Sequence, residues 1–232
     1  MVLKLKYMAI IKKIMGCWRT DPSAGNLWTY EEKFNNFTNG EINGQGGWSY
    51  LNGSGAVIQT TNSPYPDPTS VKHVYLPTCT IRKTLGSAVV SGTFYFSMKV
   101  ATPGYCFFKL RPGDENAILL GFDSTYSSYI RVVDGHGFLS LVPYSVDTYY
   151  RFGIKFECGA GGWEGLAADT YKMNINGGSW YGPYSFYDAA TSLDTIDFYS
   201  EGGVYGNGWA DYISPNYEPY KIIKKIAGVP IP

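Results

Sequence analysis

Three pairs of acidic residues lie close enough together in the sequence to suggest acid–base chemistry. Two carboxylates catalyse the hydrolysis of a glycosidic bond only when both project toward the same bond. Asp194 and Asp197 are three positions apart, so a regular strand would place them on opposite faces. The other pairs are adjacent or separated by a glycine-rich segment: Glu31 with Glu32, and Glu157 with Glu164. The sequence therefore predicts no carboxylate-based active site.

The remaining residues with catalytic potential also lack the neighbours that catalysis needs. His136 lies in the turn sequence Asp134-Gly135-His136-Gly137, which predicts an exposed loop histidine. No Gly-x-Ser-x-Gly segment is present to position a nucleophilic serine. The glycine-rich segment 159–162 lacks the Lys-Ser/Thr pair of a phosphate-binding loop, so these glycines predict tight turns.

A binding site built from aromatic side chains is better supported than a catalytic site. Sugars present flat apolar faces ringed by hydroxyl groups, and exposed Trp and Tyr side chains can cover such faces. The candidates lie in or near predicted loops, beside Gly or Asn or in a run of aromatics: Trp48, Trp163, Trp180, Tyr181, Tyr184 and Trp209. Two alternatives stay open, because large aromatics also anchor cores, and Tyr and Trp are enriched at protein interfaces.

Calcium is the one cofactor that the acidic residues suggest. A Ca²⁺ ion needs about six to eight oxygen ligands gathered around one point. The candidate ligands are Asp194, Asp197 and Asp211, with Asp123 as a further one, and their spacing predicts no compact cage. A calcium site at these residues stays open, and no other cofactor is expected.

The composition indicates strands as the elements that position these residues. Aromatic residues make up 17% of the 232 residues, and Gly occurs 28 times, which favours pleated sheet with many turns. The net charge is zero, which argues against nucleic acid as the main partner, because binding phosphates requires an excess of Lys and Arg. No apolar stretch reaches the roughly 18 residues that span a bilayer, so we expect no membrane span.

Short alternating segments recur along the chain between turn signals. The clearest is 93–100, where Phe94, Phe96, Met98 and Val100 share one face at a period of two. Segment 150–158 alternates in the same way, and segment 34–40 predicts a short strand followed by a turn. Asp134-Gly135 and Asn176-Gly177 predict hairpin turns. Regularly spaced short strands predict an all-β fold, a two-sheet antiparallel jelly-roll sandwich.

The four cysteines are far apart in the sequence. None of Cys17, Cys79, Cys106 and Cys158 forms a C-x-x-C pair, so the sequence does not support a zinc knuckle or a redox dithiol. Cys106 and Cys158 lie in alternating apolar runs, which favours buried free thiols over the alternative of a disulfide. A linker rich in turn residues precedes the first globular pattern. We therefore predict an N-terminal arm and linker over 1–30, a sandwich over 31–215 and a C-terminal arm over 216–232.

The order of features resembles the concanavalin A-like lectin/glucanase jelly roll, which includes laminin G-like and carbohydrate-binding domains. Its glycosidases carry a Glu-x-Asp-x-(x)-Glu strand and its polysaccharide lyases carry Arg-rich and Gln-x-His strands, and this chain has neither pattern. The resemblance therefore implies the fold without the catalytic residues. Three places carry it: 34–40 with Gly46-Gly47-Trp48, 148–156 with 171–177, and 193–200 with 208–213.

Nearly the same phrase occurs at both ends of the chain. The phrase ends in Met15-Gly16 in its first copy and in Ala227-Gly228 in its second. It resembles segments at the ends of structural proteins of tailed bacteriophages, which implies a virion component. Apolar, β-prone runs of this kind can pair with each other or add to sheets of neighbouring subunits. The proposed assembly residues are Ile10, Ile11, Lys12, Lys13, Ile14, Ile222, Ile223, Lys224, Lys225 and Ile226.

These observations lead to one functional hypothesis and two alternatives. The hypothesis is a non-enzymatic virion structural protein, a capsid decoration or tail-associated subunit that displays a lectin-like jelly roll. Its partners would be copies of itself, other virion proteins and surface glycans. The first alternative is a secreted carbohydrate-binding module. The second is a glycoside hydrolase or polysaccharide lyase of the same fold.

Overall fold

The computed structural model describes residues 28–60, 72–124, 128–159, 161–201 and 207–215. Strands dominate these residues, and one short 3-10 helix, Trp163–Gly165, interrupts them. The strands are β1 Gly40–Glu41, β2 Trp48–Gly53, β3 Val57–Thr60, β4 Lys72–Leu76, β5 Cys79–Val89, β6 Ser91–Val100, β7 Cys106–Arg111, β8 Ile118–Asp123, β9 Tyr129–Asp134, β10 Gly137–Pro143, β11 Tyr150–Glu157, β12 Thr170–Ile175, β13 Tyr181–Ser185, β14 Leu193–Ser200 and β15 Gly208–Ser214.

The strands form two antiparallel sheets packed face to face. The eight-stranded sheet has the order β1-β3-β4-β15-β6-β11-β12-β13. The seven-stranded sheet has the order β10-β9-β8-β7-β14-β5-β2. Neighbours in both sheets are often far apart in the sequence, as in β7 with β14 and β15 with β6. The predicted all-β jelly-roll sandwich is confirmed.

Aromatic side chains from both sheets meet in the core. Phe94, Phe96, Met98 and Val100 of β6 are all buried, as their alternation predicted. The ring of Phe96 stacks on that of Phe108 of β7, with the ring centroids 4.1 Å apart. Because β6 and β7 belong to different sheets, this contact joins the two layers. Stacked and edge-on aromatic pairs add specific geometry to the burial of apolar area.

Both predicted hairpin turns are present. Gly135 lies between β9 and β10 with a φ of 57°, a conformation that favours glycine. Asn176 and Gly177 follow β12 with φ values of 53° and 71°. Positive φ at two successive residues is the requirement of the tight turns that join antiparallel strands. Strands β12 and β13 are accordingly paired antiparallel.

Two local predictions differ from the structure. Residues 34–39 form turns and bends instead of a short strand, with Phe34 fully buried at a φ of 55°. Trp28, which we assigned to the linker before residue 31, belongs to the core, because its indole stacks on Phe94 at a centroid distance of 4.3 Å. In both places a large aromatic side chain is buried in the core.

The described cysteines are buried thiols, as expected for Cys106 and Cys158. Burial raises the pKa of the Cys79 and Cys158 thiols to about 12. Cys17 lies outside the described residues. Within the described ranges, no helix has the length and apolarity that crossing a membrane would require.

Candidate functional site

A groove of about 340 Å³ lies on the outer face of the seven-stranded sheet. Phe108 and Leu110 of β7 point into the core, so the alternation of the strand turns Phe107 and Lys109 outward. Strands β8, β9, β10 and β14 contribute further outward side chains. The groove is lined by Tyr105, Phe107, Lys109, Leu119, Asp123, Arg131, Phe138, Tyr199 and Glu201.

Tyr199 connects a cation and a carboxylate across the groove. The Lys109 ammonium lies 5.2 Å from the centroid of the Tyr199 ring, within the range of a cation–π interaction. The Tyr199 hydroxyl donates a hydrogen bond of 2.5 Å to Glu201. Burial and the neighbouring Glu201 carboxylate raise the pKa of Tyr199 above its ordinary value. Tyr199 therefore remains a neutral hydrogen-bond donor, with Lys109 at its face and Glu201 at its edge.

A second charged pair lies farther along the groove. Nη1 of Arg131 is 2.6 Å from Oδ2 of Asp123, and the side chains are mostly buried. Nε of Arg131 also donates a hydrogen bond of 3.1 Å to the Ser140 hydroxyl. This ion pair joins the neighbouring strands β8 and β9 on the groove face. Its charges compensate each other within the groove.

Aromatic side chains line the rest of the groove. Phe138 of the edge strand β10 is 51% exposed. Its ring packs edge-on against Phe107 at 6.1 Å, and Phe107 in turn stacks against Tyr105 at 6.1 Å. Phe107 itself is only 5% exposed. Phe138 is thus the aromatic residue that presents the most open surface to the solvent.

A buried ion network supports the groove beside Lys109. Asp197 of β14 is fully buried and lies opposite Lys109 in the strand register. Arg82 donates to both of its carboxylate oxygens, at 2.7 and 2.9 Å, and Arg111 donates to one of them at 2.6 Å. Two guanidinium groups therefore satisfy Asp197, and its carboxylate is committed to them.

Lys109 lies in an environment that disfavours its charged form. The pKa of Lys109 is lowered, first by burial and then by the positive charge of Arg111, with a smaller effect of Arg82. Asp197 opposes this effect but does not outweigh it. The groove therefore contains a cation that is partly desolvated and close to other cations.

The structure corrects the sequence-based placement of Trp48. Its ring is fully buried between Phe34 and Phe198, at centroid distances of 5.8 and 5.9 Å. It cannot present a face to a ligand in this position. The neighbouring Gly46-Gly47 segment suggested an exposed loop, but the strand that begins at Trp48 turns the indole into the core.

The other aromatic candidates lie away from the groove. Trp209 of β15 and Tyr75 of β4 pack at 5.4 Å on the outer face of the eight-stranded sheet, with the Lys99 ammonium 4.5 Å from the Trp209 ring. The Trp180 ring lies 4.7 Å from the Lys155 ammonium. Of the remaining candidates, Trp163 is half-buried, Tyr181 is exposed and Tyr184 is buried.

The acidic candidates for calcium are not brought together. Asp194 and Asp197 belong to β14 in the seven-stranded sheet, whereas Asp211 belongs to β15 in the other sheet. Asp194 accepts hydrogen bonds from the Gly113 amide and the Thr195 hydroxyl, both at 2.8 Å. Across the described ranges, no three His, Cys, Asp or Glu side chains cluster as metal ligands.

Other predictions fall on residues that the structure places elsewhere or does not describe. His136 is exposed in its turn, as predicted, with its ring 4.6 Å from that of Tyr187. The terminal phrases, which contain all ten proposed assembly residues, lie outside the described residues, and the assembly hypothesis stays a prediction.

Sequence patterns missed the groove itself. Lys109 and Arg131 interrupt apolar segments at alternate positions, which is the signal of an outward face. That signal shows the orientation of each side chain separately. Only the strand order brings β7, β8, β9, β10 and β14 side by side.

Comparisons with known proteins support the architecture. No family model and no curated protein sequence matches this chain. Among solved structures, a sialidase superimposes with a TM-score of 0.59 at 10% identity, over 84% of this chain and 19% of the sialidase. A β-glucanase of Bacillus licheniformis has a TM-score of 0.47 at 13% identity, over 82% of this chain and 97% of the glucanase.

These comparisons show the fold alone. An alginate lyase also superimposes, with a TM-score of 0.46 at 11% identity, over 82% of this chain and 96% of the lyase. The sialidase superposition agrees with the two-sheet sandwich, and the resemblance to the concanavalin A-like superfamily itself stays a prediction. The resemblance to bacteriophage structural proteins is not shown by these comparisons. This chain spans about a fifth of the sialidase, 19% of its length.

Proposed function

We propose that this protein binds glycans through the groove without cleaving them. The observation that carries the proposal is the exposed ring of Phe138 at the margin of a groove that also contains charged groups. The ring of Phe138 packs against Phe107 and stays half exposed beside the groove, and a concave surface lined by aromatic side chains with a few polar groups is typical of ligand sites. The flat apolar face of a sugar ring fits such a surface.

The polar groups of the groove suit the hydroxyl groups of a sugar. Glu201 accepts from Tyr199 through one oxygen and has further acceptor capacity. Asp123, paired with Arg131, adds a second carboxylate. These carboxylate oxygens lie around an aromatic surface, where they can accept hydrogen bonds from the hydroxyl groups around the face of a sugar. Shape and polarity therefore point to the same class of ligand.

The contacts of these carboxylates support binding without cleavage. Asp123 is held by Arg131, and Glu201 is held by the Tyr199 hydroxyl, so each has a structural partner. None of the strands in the described ranges carries the Glu-x-Asp-x-(x)-Glu series of the glycosidases that the chain resembles. The glycoside hydrolase and lyase alternatives predict release of reducing sugar or unsaturated products from a polysaccharide panel, and our proposal expects neither.

A glycan array probed with the full chain tests the proposal. We expect binding to a defined subset of glycans, reduced by Phe138→Ala. Absence of binding to every glycan on a broad array would overturn it. The fold shared with part of a sialidase is compatible with the proposal, which rests on the groove itself.

The twin terminal phrases support a second candidate, the virion structural role. Its test is a deletion of residues 1–16 and 217–232. We expect the truncated protein to remain folded by circular dichroism but to lose self-assembly in analytical ultracentrifugation. Assembly that persists after the deletion would exclude the terminal phrases as attachment strands.

A further inference from the structure

Lys109 is distinguished from the other cations on this face by its partners. Arg82 and Arg111 bind Asp197, and Arg131 binds Asp123. Within the described part of the chain, Lys109 forms no ion pair, and its ammonium contacts the face of Tyr199. Asp197 lies opposite Lys109 in the register, but both of its oxygens already accept from arginines.

The surroundings of Lys109 strengthen its electrostatic attraction for an anion. Phe107 and Leu119, which line the same groove, are mostly buried and apolar. A charge that has lost part of its hydration interacts more strongly with an opposite charge than it would in bulk water. The lowered pKa of Lys109 has the same origin, since burial and Arg111 disfavour its charge. The negative charge of a bound anion would compensate for both effects.

We propose that the groove selects glycans that carry a carboxylate, and that Lys109 binds this carboxylate. The proposal rests on glycan binding at the groove and adds its chemical class, an acidic sugar such as a uronic or sialic acid. The carboxylate approaches Lys109 beside the Tyr199 ring. Glu201 is hydrogen-bonded to the Tyr199 hydroxyl, at the other end of that side chain, where it accepts from sugar hydroxyls.

Among the described residues that line the groove, the cations are Lys109 and Arg131, and the Arg131 guanidinium already binds Asp123. The Lys109 ammonium is a point charge, and the single negative charge of a carboxylate is sufficient to pair with it. The proposal commits to carboxylated sugars, and sulfated sugars serve as the discriminating alternative.

The first experiment is an array on which acidic glycans stand beside matched neutral ones. It pairs oligogalacturonates with their methyl esters, and sialyllactose with both lactose and sulfated lactose. We expect carboxylated glycans to bind and their neutral counterparts to bind at least about tenfold more weakly, as expected for one charge-assisted contact. Preference for neutral or sulfated glycans would overturn the assignment while leaving glycan binding intact. Binding of no glycan would remove both proposals.

The second experiment assigns the selectivity to Lys109. The best carboxylated ligand is titrated against wild-type protein, Lys109→Met and Lys109→Arg, with thermal melting as a check of folding. The matched control is Lys172→Met, which removes a half-buried strand lysine from the other sheet. We expect about a tenfold loss for Lys109→Met, partial retention for Lys109→Arg and no change for the control. Equal affinity of Lys109→Met and wild type, with both folded, would exclude Lys109 as the carboxylate ligand.

Discussion

The ammonium group of Lys109 lies 5.2 Å from the centre of the Tyr199 ring, although the two residues come from strands far apart in the sequence. The contact exists because β7 pairs with β14. It places a cation, an aromatic face and, through the Tyr199 hydroxyl, a carboxylate within one groove. Four consequences of the architecture can be measured, three of them in the sheet that carries this contact and one in the other sheet.

Replacing Phe138 with Ala should weaken glycan binding by about tenfold, which corresponds to about 1.4 kcal/mol. The reason is loss of the exposed aromatic surface on which the sugar packs. Calorimetric titration with the best array ligand measures the change. Leu139→Ala is the control, because Leu139 is also exposed, at 41%, but points to the opposite face of the strand. Similar losses in both variants would contradict a specific role for Phe138.

Asp197→Asn should lower the free energy of unfolding by about 3 kcal/mol, because removing one member of a buried ion network leaves its partners uncompensated. Arg82 and Arg111 would both keep their charge beside a neutral amide. Urea denaturation measures the loss. Asp147→Asn breaks a more exposed ion pair with Lys99 and should cost less than about 1 kcal/mol. Comparable costs would mean that the network contributes little.

Stability should depend on the protonation of His73. Burial, followed by the charge of Lys99, lowers the pKa of His73 from 6.5 to about 4. The unfolded chain therefore binds more protons between these values, and the free energy of unfolding should fall as the pH decreases from 6.5 toward 4. His73→Gln should reduce this slope, while His136→Gln, at an exposed histidine, should preserve it. Denaturation curves at several pH values provide the measurement, and an unchanged slope in His73→Gln would contradict the assignment.

Gly121→Ala should destabilise the sheet beneath the groove. A Cβ at this position would lie 2.1 Å from the Cys106 carbonyl oxygen and 2.7 Å from the Cα of Phe107, both backbone atoms of the paired strand. Backbone cannot move aside as a side chain can, so we expect a loss of about 1 to 3 kcal/mol in thermal or urea denaturation. Gly86→Ala, where no atom lies within 4 Å of the added Cβ, should be close to neutral. A neutral Gly121→Ala variant would show that β7 and β8 can separate without cost.

Alternation and turn chemistry predicted the parts of the fold that depend on neighbouring residues. The buried face of β6 and the Asn176-Gly177 turn are examples, since each is encoded within one short segment. Strand β5 was not predicted, and in its sequence Lys83 interrupts the alternation of the buried residues Cys79, Ile81 and Leu85. The Lys83 ammonium reaches the Gly46 carbonyl at the side of the sandwich, an outcome that depends on a distant loop.

The candidate site was less accessible to sequence reasoning than the fold. Exposed Trp residues in loops were the expected signal, but Trp48 fills the core. The groove instead uses strand residues such as Lys109 and Tyr199, which become neighbours only through the strand order. No local pattern reports that order, because it is set by how both sheets share one core.

The position of β15 has a consequence for the biogenesis of this protein. It is the last described strand in the sequence, yet it lies in the interior of the eight-stranded sheet, between β4 and β6. During synthesis, β4 and β6 emerge long before the strand that separates them, so each has an unpaired edge in the nascent chain. Such edges are prone to aggregation. We therefore expect recovery of soluble protein to depend on chaperones that shield these edges until translation has passed residue 214.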